Sequence, residues 1–293
     1  MISGRIVKGI AGFYYVDDGE GHLYTCKAKG GFRKEKQKPL VGDFVSIQVI
    51  SEENKEATIV EIGQRKNALI RPEVAGVDQA LILFALTNPE PNFGLLDRFL
   101  IMMNRQNIPC ILCFNKTDLV SEDYVREVAE NYQNSEAKVY TFTAKEEDNF
   151  DFLKELLQGK TTVLAGPSGV GKSTLTNKLF PEAKMETGEV SEKTKRGKHT
   201  TRHSQLYKLS EDTFLFDTPG FSAFDLSTDL EAEELKEYYP EFYPYEGLCK
   251  YNPCTHTHEP SCEIKKKVEE GAIKKVRYES YKQLFEKLSE KRY

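Results

Sequence analysis

No stretch of this 293-residue chain is apolar for long enough to cross a bilayer. The longest run, residues 80–86, falls far short of the about 20 residues that a spanning helix needs. The opening residues, MISGRIVKGIAG, hold no long apolar core of the signal-peptide kind, so the expectation is a cytosolic protein with no membrane partner. Charge of one sign is not in excess either. Lys+Arg 41 against Asp+Glu 46 leaves a net −5, which excludes a global pull toward nucleic acid and leaves only local patches to supply one. Cysteine is scarce: six residues in a chain this long argue against a disulfide framework. There is no internal repeat and no low-complexity block.

What is present divides into three regions. The length exceeds what one core usually holds, and a composition of 39% hydrophobic and 30% charged residues is that of a soluble globular protein. Residues 1–65 alternate short strand-like runs with glycine turns (GFYYV, HLYTC, DFVSIQV, ATIVEI), which suits a five-stranded OB-fold β-barrel. Within them Lys27, Lys29, Arg33, Lys34, Lys36 and Lys38 surround Phe32. A basic segment with an aromatic, on such a barrel, is a way of holding RNA, and equally a solvated loop. Residues 66–225 alternate buried-strand runs (QALILFAL, CILCF, TVLA, FLF) with helical patterns, as in an α/β domain whose mostly parallel sheet is covered on both faces. Residues 226–293 turn acidic, then cysteine-rich, then basic and helical.

The stretch TVLAGPSGVGKST carries the chemistry. Gly166, Gly171, Lys172 and Ser173 fit G-x-x-x-x-G-K-[ST], with a strand-like run before and helical spacing (Leu175, Leu179) after. About 0.01 chance matches are expected in such a chain, so the motif is read as a phosphate-binding loop. Backbone N–H groups of Gly166, Pro167-Ser168-Gly169-Val170, Gly171 and on to Thr174 are expected to surround phosphates, proline contributing position only. Lys172 reaches the β- and γ-phosphate oxygens, and Ser173 offers a hydroxyl to Mg²⁺.

A base-reading motif stands upstream of it. Asn115-Lys116-Thr117-Asp118 follows the run CILCF and matches N-K-x-D. The Asp118 carboxylate can accept from both N1–H and N2–H₂ of guanine, a donor pair that adenine lacks, so GTP or GDP is favoured over ATP. Thr143-Ala144-Lys145 resembles the S-A-K element, whose backbone N–H meets guanine O6, although that tripeptide is weak alone. Downstream, Thr200 or Thr201 supplies a switch threonine for Mg²⁺. Asp217-Thr218-Pro219-Gly220 then gives D-x-x-G, with Asp217 on Mg²⁺ through water and the Gly220 N–H at the γ-phosphate.

Half the cysteines crowd into residues 249–262 beside two of the five histidines. Cys249, Cys254 and Cys262 with His256 or His258 could close a tetrahedral zinc set, or could be reduced thiols that ligate nothing. Cys26, Cys110 and Cys113 read as buried thiols.

The order N-K-x-D, T-A-K, phosphate loop, switch threonine, D-x-x-G is a circular permutation of the usual GTPase order, tolerable because domain termini tend to lie close together. The permuted order, the barrel and the cysteine cluster together resemble the ribosome-small-subunit-dependent GTPase family, RsgA (YjeQ/YloQ), over essentially the whole chain. The resemblance implies an OB-fold at 1–65, a permuted P-loop GTPase domain at 66–225 and an α-helical zinc-binding domain at 226–293. It also implies one structural Zn²⁺ on Cys249, Cys254, His256 and Cys262, and GTP hydrolysis stimulated by the small (30S) ribosomal subunit during its late maturation. The 16S rRNA is then a partner, and the protein acts in the cytoplasm as a monomer. A nucleotide-gated RNA-binding module with little hydrolysis, and a P-loop kinase, are the rival readings. Phe221 follows Gly220 where many small GTPases carry a water-orienting glutamine. His199, beside Thr200 and Thr201, is the candidate to replace it, against a simple contact with rRNA phosphate or donation by the ribosome in trans.

Overall fold

Along the strand Leu23–Ala28 and its neighbours buried side chains alternate with more exposed ones, the period of strands that present one face to a core. The strands are β1 (Ile2–Ile10), β2 (Phe13–Asp17), β3 (Leu23–Ala28), β4 (Phe44–Ser51) and β5 (Glu56–Ile62). Ile6, Val16, Tyr24, Cys26, Val45, Ile47, Ala57 and Ile59 fill the interior. The order β1-β2-β3-β5-β4 closes because β4 returns to β1, with Ile2 opposite Ile47; only β3 and β5 run parallel. Closure gives both edges of the sheet a partner. This computed structural model describes residues 1–34, 37–70, 72–145, 150–181, 204–217 and 230–290.

The aromatic of the basic segment does not face outward. Phe32 is only 8% exposed, an apolar ring taken into the interior. Lys38 pairs with Glu73. Phe13, 40% exposed, instead lies under the Lys27 ammonium at 5.1 Å.

Beyond the barrel come the short antiparallel pair β6 (Ala68–Leu69) and β7 (Val74–Ala75), then β8 (Gln79–Ala85), β9 (Cys110–Asn115), β10 (Lys138–Thr141), β11 (Thr161–Ala165), β12 (Gln205–Lys208) and β13 (Phe214–Asp217). The residues divide into two compact units. The first holds Met1–Ala80, Asp148–Ala165 and Ser173–Phe221. In it β11 and β13 run parallel, β12 is antiparallel to β13, and Gln205 of β12 meets Lys8 of β1. Arg5 fastens barrel to strands. Its Nε donates to Gly42 O (3.1 Å), its Nη2 to Thr161 Oγ1 (2.9 Å), and its guanidinium lies 4.3 Å from the Phe214 ring. Burial pushes its pKa down to about 10, partly offset by Asp78.

The second unit holds Leu81–Glu147, Gly166–Lys172 and Ser222–Tyr293. Strands β8, β9 and β10 lie side by side, β9 and β10 parallel, and β8 is buried throughout, as a strand covered on both faces must be. The helix Phe93–Asn104 is capped by Asn92, whose Oδ1 accepts from Leu95 N (2.9 Å), and Glu122–Tyr132 by Ser121. The C-terminal segments are helical: Glu263–Glu269, Lys275–Glu290 and the 3₁₀ turns Ala232–Tyr238 and Pro240–Tyr245. A buried ion triad joins them to the helix Phe93–Asn104, which carries Asp97. Arg277 Nε donates to Glu241 Oε1 (2.6 Å) and Nη1 to Asp97, while the rings of Tyr239 and Tyr132 lie 4.7 Å and 5.1 Å from the guanidinium.

Candidate nucleotide site and metal centre

The phosphate loop leaves β11 and ends in the helix Lys172–Leu179, the strand–loop–helix context that the motif requires. Two of its glycines are enforced by their neighbours. Gly166 has φ +140°, and a Cβ there would stand 2.1 Å from Leu83 O; Gly171 has φ +101°, and its Cβ would stand 2.4 Å from Asn115 Nδ2. Lys172 Nζ is held over the loop, donating to Gly166 O (2.9 Å) and Pro167 O (2.6 Å). Ser173 and Thr174 follow in the first turn of the helix, where backbone N–H groups have no intrahelical acceptor.

Asn115, at the end of β9, ties three loops together. Its Nδ2 donates to Val170 O of the phosphate loop (2.8 Å), and its Oδ1 accepts from Lys116 N (2.7 Å) and from Ala144 N (2.8 Å). Lys116 takes a left-handed φ of 65° and extends its Nζ to Gly169 O (3.0 Å) and to Asn88 O. Its stem is thereby strung between the phosphate loop and the turn after β8. Asp118 is exposed, with its N–H on Thr143 Oγ1 at 3.1 Å. The structure thus brings Asn115, Lys116, Thr117, Asp118, Thr143 and Ala144 together with the phosphate loop, and Lys145 follows in an exposed turn.

Of the switch elements, the backbone of Asp217 is placed at the end of β13, in parallel register with Leu164 of β11. His199, Thr200, Thr201 and Gly220 lie outside the described residues.

The cysteine cluster meets the geometric test for zinc. With Zn–S about 2.3 Å and Zn–N about 2.0–2.1 Å, a tetrahedral site places sulfurs about 3.8 Å apart and sulfur and nitrogen about 3.5 Å apart. Here Cys249 Sγ and Cys262 Sγ are 3.8 Å apart, and His256 Nδ1 lies 3.6 Å and 3.4 Å from them. Cys254 completes a set whose ligand atoms all lie within 4.8 Å of one another. Burial pushes the Cys254 thiol up to about 12 and, with the Lys236 charge, the His256 imidazole down to about 4. The imidazole is therefore held neutral, as a ligand must be, and a cation would offset the cost of burying thiolates. His258 is exposed. The loop is braced from outside: Glu259 accepts from Thr255 N and Thr257 N, and Tyr278 OH donates to His256 O (2.7 Å). Cys26 and Cys113 are buried and Cys110 half-buried; burial raises all three thiol pKa values, which keeps them protonated and inert.

The RsgA GTPase family model matches residues 62–227, and the RsgA N-terminal domain model matches residues 3–59. The chain belongs to the RsgA GTPase family. A protein of Agathobacter rectalis named small ribosomal subunit biogenesis GTPase RsgA is 47% identical to it, with 98% of each chain aligned. Among solved structures, YloQ, described as a circularly permuted GTPase, superposes with a TM-score of 0.75 at 37% identity, covering 99% of this chain and 96% of that one. YjeQ from Thermotoga maritima superposes with 0.78 at 34% identity, covering 98% of each chain. This RsgA-family chain is thus a GTP hydrolase with an N-terminal barrel, a central GTPase domain and a C-terminal Cys₃His group able to hold zinc.

Sequence reasoning missed three contributors. The Asn88 carbonyl beneath Lys116 could have been flagged by the turn-forming Asn-Pro dipeptide after a buried strand. Glu259, bracing the metal loop, carried no signal beyond its proximity to the ligands. Arg277 carried none, since one arginine in a basic amphipathic helix reads as a surface charge.

Proposed function

We propose that this chain hydrolyses GTP to GDP and phosphate under stimulation by the small ribosomal subunit, in the late maturation of that particle, working as a cytoplasmic monomer whose flanking parts bind 16S rRNA. The division of labour is 1–65 for RNA, 66–225 for nucleotide and 226–293 as a zinc-stapled helical part. The observation that carries the reading is the Asn115 side chain, whose three hydrogen bonds join the N-K-x-D loop, the Thr143-Ala144-Lys145 turn and the phosphate loop into one guanine-nucleotide pocket. The names borne by its relatives support the ribosomal setting.

Asp118 reads guanine N1–H and N2–H₂, Lys116 covers the base, and the Ala144–Lys145 backbone meets O6. Lys172 and the backbone N–H groups of residues 166 and 168–174 hold the phosphates and stabilise charge on the transferring group. Ser173, one of Thr200 and Thr201, and Asp217 are hard oxygen donors suited to Mg²⁺, which supplies charge neutralisation at the β- and γ-phosphates. The Gly220 N–H senses the γ-phosphate, and His199 orients the water. Zinc serves structure: four protein ligands leave no open position.

The test is GTP turnover with and without purified small subunits, beside co-sedimentation with 30S and 50S particles in GDP or a non-hydrolysable GTP analogue. Stimulation by 30S alone, with retention favoured by the analogue, is the expected result. Equal turnover with either particle, or none with 30S, overturns the reading.

A further inference from the structure

We propose that the hydroxyl of Thr117, at the variable position of N-K-x-D, sets guanine specificity in this chain by directing the Thr143 proton onto Asp118. The proposal rests on the guanine-reading assignment above. Thr143 Oγ1 has three close partners: Thr117 Oγ1 at 2.7 Å, Asp118 N at 3.1 Å and Asp118 Oδ1 at 3.1 Å. A threonine hydroxyl has one proton to give and two lone pairs to fill.

The roles follow by elimination. Asp118 N–H can only donate, so it occupies one lone pair of Thr143. Asp118 Oδ1, as carboxylate, can only accept, so Thr143 gives it the single proton. The Thr117 hydroxyl must then donate to the second lone pair of Thr143. In the opposite arrangement, with Thr143 donating to Thr117, an oxygen lone pair would face a carboxylate oxygen at 3.1 Å, with repulsion in place of a hydrogen bond. Only one of the two arrangements satisfies all three contacts.

Such a relay does something that the bare motif does not. Asp118 is exposed, and an exposed aspartate rotates freely, whereas bidentate recognition needs both oxygens fixed in the plane of the base. Thr143 is 7% exposed, just past β10, and hence a firm anchor. Thr117 saturates that anchor, leaving the Thr143 proton one destination. Thr117 is on this argument a positioning residue: it acts through Thr143 and Asp118 and need not touch the nucleotide.

The test measures Kd for GDP and for inosine diphosphate, which lacks the 2-amino group, by competition with a fluorescent GDP on the full chain. Thr117→Val, nearly isosteric and without the hydroxyl, should weaken GDP about fivefold to tenfold and inosine diphosphate less, and raise KM for GTP more than it lowers kcat. Thr117→Ser should restore GDP affinity. Thr143→Val should weaken GDP at least as much, and Thr117→Val should add nothing in the Thr143→Val background, because its partner is gone. Thr117→Ala stands in if Thr117→Val does not fold. GDP affinity within twofold of wild type, losses that multiply in the double variant, or no rescue by Thr117→Ser overturns the relay. An Asp118→Asn control separates the two readings. If it prefers xanthosine diphosphate, the guanine assignment stands and an unaffected Thr117→Val removes the relay alone; if it keeps GDP preference, both fall.

Discussion

A Cβ on residue 171 would stand 2.4 Å from Asn115 Nδ2, the atom that donates to Val170 O. The Asn115 side chain of the base-reading loop therefore lies directly against the backbone of the phosphate loop, and that backbone takes φ +101° at Gly171. Any side chain there must displace the asparagine that also fixes Lys116 and Ala144. Gly171→Ala should weaken GDP binding at least tenfold, from about 1–3 kcal/mol of backbone strain and a displaced Asn115, with the circular dichroism of the fold retained. Binding within threefold of wild type would refute this coupling of the loops.

The metal centre predicts a choice between two histidines. Protein purified without chelator should carry one zinc per chain by elemental analysis. His256→Ala should lose it, as should Cys249→Ala, Cys254→Ala and Cys262→Ala, while exposed His258→Ala should keep it. Loss of metal should also lower the melting temperature, because within residues 249–262 only the ligands Cys254, His256 and Cys262 are buried, so the loop has little besides the ion to fold around. Zinc retained in His256→Ala and lost in His258→Ala would reverse the assignment.

The salt dependence of small-subunit binding should report on the barrel. If Lys27, Lys29 and Lys38 contact phosphate, replacing all three by Gln should flatten the slope of log affinity against log salt. Phe13→Ala should weaken binding by loss of an exposed ring, whereas Phe32→Ala should lower the melting temperature, its ring being buried. An unchanged slope leaves the segment as solvated surface.

The motifs could be read from the chain because each is local. Gly166 to Ser173, Asn115 to Asp118 and Cys249 to Cys262 each place their chemistry within a few residues, and a strand or turn fixes the rest. The five-stranded barrel was readable for a similar reason: period-two burial and glycine turns specify strands, and closure is the way a small sheet avoids bare edges. The burial of Phe32 was not legible, because an aromatic among lysines looks the same whether it points out or in. The Asp97–Arg277–Glu241 triad was invisible. Its members are separated by 180 and 36 residues, and each, taken singly, is an ordinary charge on an amphipathic segment.

That triad makes its own prediction. Arg277→Met would leave the buried carboxylates of Asp97 and Glu241 facing each other without a cation, a change that typically costs about 3–5 kcal/mol. A lower melting temperature is expected, and Arg277→Lys should not restore it, since an ammonium cannot reproduce the guanidinium fork or its stacking on Tyr239 and Tyr132. Wild-type stability in Arg277→Met would show that one carboxylate simply takes up a proton at little cost.

The hydrolytic water is the remaining question of mechanism. Phe221 stands after Gly220, and a phenyl ring cannot hydrogen-bond water, so another group must orient the attack. His199 directly precedes Thr200 and Thr201, one of which is proposed to bind Mg²⁺, so a threonine held on that ion would bring the neighbouring imidazole close to the γ-phosphate. A neutral imidazole accepts a hydrogen bond from water near physiological pH, which is the role that the absent glutamine leaves open. His199→Ala should accordingly bind GTP and the small subunit nearly as wild type does, yet lose most of the subunit-stimulated turnover, and should linger on the subunit with GTP bound. The measurement is single-turnover hydrolysis at matched subunit occupancy, read beside co-sedimentation. Unimpaired stimulated turnover would remove His199 from the mechanism and leave the ribosome, acting in trans, to supply the group that positions the water.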